Sequence, residues 1–197
     1  MKIAVYPGSF DPITNGHLDI LNRALNIFDK VIVLIAINPN KTNRFSPEER
    51  KAMIEEAVNN KNVVVDTWDG LTVRYAKEHG ATHLIRGLRA VTDFEYEFQL
   101  ASANDYADPS IDSVFLMSKG EKSFINSSSI MELYKKGVDV SALVPESVIK
   151  RLKNLKWLFK SNTRHHSSYW CFFICWIINR IINSIKLWIG NLVFVYT

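Results

Sequence analysis

A nearly continuous apolar run at residues 30–37 constrains the fold of this chain more than any other feature. Its valines and isoleucines favour extended backbone, and its lack of polar alternation is typical of a parallel strand that is covered on both faces. Similar short runs alternate with helical patterns along the sequence. Because parallel strands need crossover connections, this alternation predicts an α/β fold with a five-stranded parallel sheet and helices on both faces.

Five strands and five helices are predicted from changes in hydrophobic period. The strands cover residues 2–6, 30–37, 63–67, 82–85 and 113–117. The helices cover residues 16–28, 47–59, 71–79 and 92–106, and a fifth helical pattern begins near Ile130. Two helix starts have the capping-box pattern, at residues 46–49 and 92–95. Ligands of such folds bind at the carboxyl ends of the strands.

Residues 6–17, Tyr-Pro-Gly-Ser-Phe-Asp-Pro-Ile-Thr-Asn-Gly-His, join the first strand to the first helix. Their turn-forming residues let the backbone fold closely around a ligand, and the unpaired N–H groups of a helix start favour phosphate. Asn15 or Thr14 can cap this helix, and His17 would place an imidazole donor beside the anion. A histidine here could instead be an ordinary surface residue. The loop has neither a Walker A nor a Gly-x-Gly-x-x-Gly pattern, so both common nucleotide-binding motifs are excluded.

Polar or basic residues also follow the other predicted strands, where a packing role would not require them. They are Lys41 after the second strand, Thr72 after the third, Arg86 and Arg89 after the fourth, and the serine-rich residues 123–129 after the fifth. The planar fork of arginine suits phosphate recognition. Simpler roles remain open, because Lys41 could be solvated and the serine run could be a linker. The arginines could instead pair with Asp93, Glu95 or Glu97.

Three segments together resemble the bacterial phosphopantetheine adenylyltransferases: residues 8–17, 84–97 and 124–128. Gly-Ser-Phe-Asp-Pro followed by Thr-x-Gly-His is similar to the signature of the nucleotidyltransferase superfamily, and Thr14 is typical of its adenylyl-transferring branch. The resemblance covers about residues 1–154 and implies a Rossmann-like nucleotidyltransferase fold. It also implies reversible transfer of an adenylyl group from ATP to 4′-phosphopantetheine, which gives dephospho-coenzyme A and pyrophosphate.

The resemblance implies roles for individual residues. His17 would bind ATP and stabilise the transition state, with no covalent intermediate. The residues implied in ATP binding are Ser9, Phe10, His17, Gly87, Leu88, Arg89, Glu97, Lys122, Ser123, Phe124, Ile125, Asn126, Ser127 and Ser128. Those implied in phosphopantetheine binding are Ser9, Lys41, Thr72 and Arg86. The chain departs from the family pattern at Lys122, where an aromatic residue is frequent, and at Asn126, where serine is frequent.

The reaction requires two polyanions to be held in line while charge at the α-phosphate is neutralised, which predicts Mg²⁺ as a cofactor. The sequence does not identify ligands for this ion. The resemblance further implies a homohexamer and feedback inhibition by coenzyme A. Two other functions fit the same residues: a nucleotide-binding regulatory protein without turnover, and a nucleotidyltransferase that acts on another phosphorylated acceptor.

The composition changes sharply towards the C-terminus. The net charge of +4 combines 24 basic and 20 acidic residues, yet every acidic residue lies at or before Glu146. Both cysteines and most of the tryptophans lie after that point. The body therefore has the composition of a cytoplasmic protein that needs no disulfide, and its charge does not indicate a nucleic-acid partner. We predict a nucleotidyltransferase domain at residues 1–154 and an atypical apolar and basic extension at residues 155–197.

Three interpretations of the extension remain. Its apolar run at residues 169–178 is shorter than the roughly 20 residues that span a membrane, but a helix lying at the membrane surface stays open. A metal site is a second interpretation, yet the spacing fits no standard zinc pattern. Its ligands would be His165, His166, Cys171 and Cys175. An extension without a catalytic role is the interpretation we prefer.

Overall fold

The computed structural model describes residues 1–38, 42–89, 91–119 and 126–154. The chain divides into two units, Met1–Lys150 and Arg151–Thr197, and the fold and site lie in the first. The predicted site residues Lys41 and Lys122 to Ile125 lie outside the described residues, as does the predicted extension at 155–197. Within the described ranges, no helix is both long and apolar enough to cross a membrane.

Strands and helices alternate strictly, as predicted. The elements are β1 (Ile3–Gly8), α1 (Asn15–Ala24), β2 (Lys30–Ala36), α2 (Pro47–Ala57), β3 (Val63–Trp68), α3 (Thr72–Glu78), β4 (His83–Leu88), α4 (Val91–Ala107), β5 (Asp112–Met117) and α5 (Ser127–Lys135). A further helical stretch begins at residue 146. The capping box predicted for α2 is confirmed, because the Ser46 hydroxyl accepts from the Glu49 N–H and the Glu49 carboxylate accepts from the Ser46 N–H.

The five strands form one parallel sheet in the order β3-β2-β1-β4-β5. Ala4 in the central strand β1 aligns with Val31 of β2 on one side and with His83 of β4 on the other. The chain therefore moves outwards from β1 in both directions. In such sheets a crevice opens at the carboxyl ends of the two strands where the order reverses, which here are β1 and β4.

The core lies on both faces of β1 and β2, and the residues 31–35 of β2 are at most 3% exposed. On one face, α3 packs through Val73 and Ala76 against Leu84 and its neighbours. On the opposite face lies α1, because a Cβ at Gly87 would be 3.3 Å from the side chain of Ile20 and positions 84 and 87 lie on opposite sides of a strand. The predicted fold class is therefore confirmed.

Three predicted boundaries near the site are wrong. β1 does not end at Tyr6 but continues to Gly8, because Pro7 and Gly8 align with residues 34 and 35 of β2. β4 does not end at residue 85 but continues to Leu88, because β5 pairs with it there and Gly87 aligns with Leu116. Arg86 therefore lies within the strand and not in the loop after it. α5 begins at Ser127, so Ser127 and Ser128 form its first turn and do not belong to a preceding loop.

The end of α1 and the start of α4 also differ from the prediction. α1 ends at Ala24 and not at residue 28, because the next N–H groups bond to carbonyls three residues back: Asn26 donates to Arg23, and Ile27 donates to Ala24. These tighter bonds are typical of a helix end. α4 begins at Val91, upstream of the capping box predicted at residues 92–95, so that assignment of the helix start is wrong.

Candidate active site

A cleft of about 220 Å³ lies at the carboxyl ends of β1 and β4, at the point where the strand order reverses. Seven predicted site residues line it: Ser9, Phe10, His17, Arg86, Gly87, Arg89 and Glu97. They come from the loop after β1, from α1, from β4 and from α4, which are far apart in sequence. The topology of the sheet therefore brings together most of the predicted residues that the structure describes.

His17 takes part in an unusual capping box at the start of α1. The Thr14 hydroxyl accepts from the His17 N–H at 3.3 Å, and the Thr14 N–H donates to His17 Nδ1 at 3.1 Å. Glu or Gln usually occupies the position that His17 has here. Because a main-chain N–H can only donate, Nδ1 of this ring is an acceptor and the single proton of the neutral imidazole is on Nε2. The cap thus fixes the tautomer of His17.

The ring of His17 is neutral at physiological pH. Its burial, together with a smaller effect of the positive charge of Arg89, lowers the pKa of His17 from 6.5 to about 4. The unfolded chain binds a proton at this residue below pH 6.5, whereas the folded chain does not until about pH 4. His17 therefore contributes stability above pH 6.5, and this contribution is lost as the pH falls towards 4.

Aromatic rings pack against each other at the loop between β1 and α1. The Phe10 ring is buried and makes edge contacts with Tyr6 at 5.3 Å and with His17 at 5.2 Å between ring centroids. Phe10 has a positive φ of 45°, a backbone angle that residues other than glycine rarely adopt. Its ring lies so close to Gly8 that a Cβ there would be 2.9 Å from Phe10 Cζ. Gly8 is therefore required by the packing of Phe10, and the side chain of Phe10 is occupied in supporting His17.

Both arginines in the cleft form ion pairs with α4. Arg86 donates from Nε and Nη2 to the two carboxylate oxygens of Glu97, at 2.5 and 2.7 Å. Its Nη1 lies 3.4 Å from the Pro7 carbonyl. Arg89 Nε lies 3.4 Å from the Asp93 carboxylate, and the Arg89 side chain is 39% exposed. The salt bridges that the sequence allowed as an alternative to phosphate binding are therefore present, and the two cations still line the cleft.

Five predicted residues do not line this cleft. Thr72 begins α3 two strands away from β1, and Leu88 is buried at the end of β4. Asn126 caps α5 by accepting from the Ser129 N–H at 2.7 Å, and Ser127 donates its hydroxyl to the Pro12 carbonyl at 2.8 Å. Ser128 is exposed in the same helical turn. The start of α5 therefore contacts the loop after β1 without contributing to the cleft.

Three residues outside the predicted site also shape it, and one of them, Thr14, is predicted only as a possible cap of α1. Tyr6 lines the cleft from β1, and burial raises the pKa of its hydroxyl despite the opposing charges of Arg86 and Arg89. Thr14 lines it as the cap of α1, and Asp11 is buried behind the loop, where its carboxylate accepts from the N–H groups that precede α2. The alternation along β1 could have identified Tyr6. Nothing local in the sequence connects Asp11 with residues more than thirty positions away.

The described residues offer no ready-made metal cage. Within residues 1–38, 42–89, 91–119 and 126–154, no group of three His, Cys, Asp or Glu residues could hold an ion. Glu97 lines the cleft, but both of its oxygens accept from Arg86. A divalent cation held there mainly by protein carboxylates does not fit this arrangement.

Comparison with known proteins agrees with this architecture. A family model described as cytidylyltransferase-like matches residues 5–133. A phosphopantetheine adenylyltransferase of Alkaliphilus oremlandii is 52% identical over 155 residues, which cover 78% of this chain and 99% of that protein. The enzyme of the same name from Desulforudis audaxviator is 52% identical, with 78% and 95% covered.

The solved structures add a more distant likeness. A bifunctional NMN adenylyltransferase/ADP ribose pyrophosphatase from Francisella tularensis, complexed with AMP and a manganese ion, is similar with a TM-score of 0.51. It is 22% identical, and the match covers 71% of this chain but only 43% of that protein. At this level of identity the likeness concerns the fold alone.

Proposed function

Since this chain belongs to the phosphopantetheine adenylyltransferase family, we propose that it transfers the adenylyl group of ATP to 4′-phosphopantetheine. A phosphate oxygen of the acceptor attacks the α-phosphorus of ATP, and the bond from that phosphorus to the β-phosphate oxygen breaks. The products are dephospho-coenzyme A and pyrophosphate. The observation that carries the proposal is the neutral imidazole donor of His17 in the cleft at the sheet's switch point.

In this proposal His17 acts as a hydrogen-bond donor and not as a general base. The acceptor phosphate is already a competent nucleophile, so no side chain needs to remove a proton or form a covalent bond. Because Nδ1 of His17 accepts from the Thr14 N–H, the ring proton of His17 is on Nε2. From there it would donate to an α-phosphate oxygen on which negative charge develops in the transition state. A preorganised donor of this kind contributes more in the transition state than in the ground state.

The two arginines would bind phosphate in different ways. Glu97 accepts from Nε and Nη2 of Arg86 and so fixes the plane of that guanidinium. We propose that the acceptor phosphate accepts from Nη1, which also lies 3.4 Å from the Pro7 carbonyl. Arg89 is more exposed and its contact with Asp93 is longer, so we propose that it swings towards the polyphosphate of ATP. The two positive charges that line the cleft would reduce the repulsion between two anionic substrates.

The remaining predicted contacts stay proposals. We propose that Phe10, Gly87 and Leu88 bind ATP through their main chains, because the side chains of Phe10 and Leu88 are buried. The other ATP contacts would come from Ser9 and the segment 122–128. Ser9, Lys41 and Thr72 would hold phosphopantetheine. We further propose that Mg²⁺ enters with ATP, bound by phosphate oxygens and water, as is usual for this ion.

We also propose a cytoplasmic homohexamer that is inhibited by coenzyme A, as in the family that the sequence resembles. The exposed aromatic side chains of α4 support self-association, because large exposed apolar groups commonly mark contact surfaces. They are Phe94, Tyr96, Phe98 and Tyr106. Light scattering coupled to gel filtration measures the assembly, and titration of the enzyme with coenzyme A measures the inhibition.

For the C-terminal extension we propose no catalytic role. Truncation after Asn154 should leave kcat and both KM values within about twofold, and should improve solubility if it removes exposed apolar surface. Co-sedimentation of both forms with vesicles shows whether the extension binds a membrane surface. Loss of activity or folding on truncation would place the extension in the catalytic domain.

The proposed reaction is tested by measuring pyrophosphate release from ATP, with and without 4′-phosphopantetheine. CTP in place of ATP, and nicotinamide mononucleotide in place of the acceptor, serve as parallel assays. We expect rapid release only with ATP and phosphopantetheine together. Release with another acceptor would favour a different nucleotidyltransferase, whereas nucleotide binding without release would favour a regulatory protein.

A further inference from the structure

We propose that Arg50 of α2 is a positioning residue for the adenylyl-transfer site, acting through the main chain of Ser9. This inference rests on the proposed function. Arg50 lies behind the loop after β1, and it is not among the residues that line the cleft. Its role would be to hold the loop in the conformation that places His17.

The contact is direct and long-range. Arg50 Nη1 donates to the Ser9 carbonyl at 2.8 Å, across 41 positions of sequence, and Nε lies 3.4 Å from the Ser46 carbonyl. A second connection has the same direction, since Asp11 in the loop accepts from the N–H groups of Arg44 and Phe45 at 2.8 and 3.0 Å. Residues before and within α2 are thus hydrogen-bonded to Ser9 and Asp11, the two residues that flank Phe10.

The burial of Arg50 argues against an incidental contact. Its side chain is 1% exposed, although arginine is almost never fully buried unless it is paired. Burial lowers the pKa of Arg50, and the negative charges of Asp11 and Glu48 act against this effect. A buried cation costs free energy that an apolar residue of similar size would avoid. A requirement for the loop geometry would explain why a cation occupies this position.

The loop carries the effect of Arg50 to the cleft. Phe10 follows Ser9 directly, holds a positive φ of 45° and contacts the His17 ring at 5.2 Å. Release of the Ser9 carbonyl would let Phe10 move, and His17 would then lose its edge contact. Because a displacement of about 1 Å can cost a hundredfold in rate, such a release would lower kcat with little effect on ground-state binding.

The first test compares Arg50→Met with Arg50→Lys at 25 °C. We expect Arg50→Met to lower kcat by roughly tenfold to a hundredfold while the KM for ATP changes less than about threefold. Arg50→Lys keeps one donor but lacks the planar fork, so its kcat should fall by a smaller factor, at least about threefold. It also provides the test if the methionine variant does not fold. Wild-type kcat in a folded Arg50→Met or in Arg50→Lys would overturn the proposal.

Ser147→Ala is the matched control for a general weakening of α2. The Ser147 hydroxyl donates at 2.8 Å to the carbonyl of Met53, which lies in α2 as Arg50 does. Ser147 is also buried, and it is not among the residues that line the cleft. This variant should lower Tm but keep kcat within about twofold. If Ser147→Ala loses as much kcat as Arg50→Met, helix stability and not loop position explains the effect, and the proposal is wrong.

A double-mutant cycle with His17→Ala identifies the residue through which Arg50 acts. If Arg50 positions His17, Arg50→Met should cost less than about threefold in kcat when His17 is already absent. An unchanged loss in the His17→Ala background would contradict the inference. Wild-type enzyme in the same assay separates this outcome from failure of the proposed function, because a wrong function would leave the wild type without adenylyl transfer.

Discussion

The starts of α1 and α5 look alike in sequence but differ in their surroundings. Each follows a strand, each has a polar cap, and each contains residues that the resemblance implies in ATP binding. At α1 the residue that completes the cap is His17, which lines the cleft. At α5 the cap is Asn126, and the next residue, Ser127, is bonded to the Pro12 carbonyl. A polar helix start therefore becomes a catalytic candidate only when the sheet places it at the switch point.

The largest expected difference between the two helix starts concerns His17. Replacing His17 with Ala should lower kcat by roughly a hundredfold to a thousandfold, the scale for one preorganised donor, with ATP affinity nearly unchanged. Ser127→Ala at α5 is the comparison variant: as a proposed ATP contact outside the cleft, Ser127 should affect the KM for ATP, whereas kcat should change by less than about threefold. Steady-state pyrophosphate release measures both variants. Equal losses of kcat in the two variants would show that the two helix starts contribute equally to the reaction, which would contradict the account.

A smaller effect is expected at the cap of α1. Thr14→Val removes the hydroxyl that accepts from the His17 N–H, while the main-chain N–H still reaches Nδ1. Loss of a helix cap costs about 1 kcal/mol in unfolding free energy. We expect kcat to fall by roughly threefold to tenfold, and Thr14→Ser to restore it. Denaturant unfolding and kcat are measured on the same preparations. A wild-type kcat in Thr14→Val would show that the hydroxyl of the cap does not contribute to catalysis.

The smallest kinetic effect is expected at the cap of α5. Asn126→Ala should also cost about 1 kcal/mol in unfolding free energy, because the Ser129 N–H loses its acceptor. Since this cap does not line the cleft, kcat should stay within about twofold. Asn126→Ser, which restores a capping oxygen, is the matched variant. A drop in kcat of tenfold or more for Asn126→Ala would mean that α5 takes part in the reaction.

The fold could be predicted because its signals are local. The apolar run of β2 and the period of the helices depend only on neighbouring residues, and short connections then leave few topologies. The carboxyl ends of the strands likewise predicted where Ser9, His17 and Arg89 would meet. These residues line one cleft in the structure.

What the sequence missed depends on partners distant in the chain. The fourth strand is predicted to end at residue 85, but its pairing with β5 continues through Gly87 to Leu88. The pairing of Arg86 with Glu97 in preference to Asp93 or Glu95 is set by how α4 packs on the sheet. The buried contact from Arg50 to Ser9 has no local signal at all.

The tautomer and charge of His17 are the most direct measure of the difference between α1 and α5. Nitrogen-15 NMR of the five histidine side chains during a pH titration measures the tautomer and the pKa of each ring. The signals of His17 are assigned as those that disappear in His17→Ala. We predict a neutral ring with its proton on Nε2 and a pKa near 4, since burial disfavours the charged form. A proton on Nδ1, or a pKa near the ordinary value of 6.5, would contradict the account.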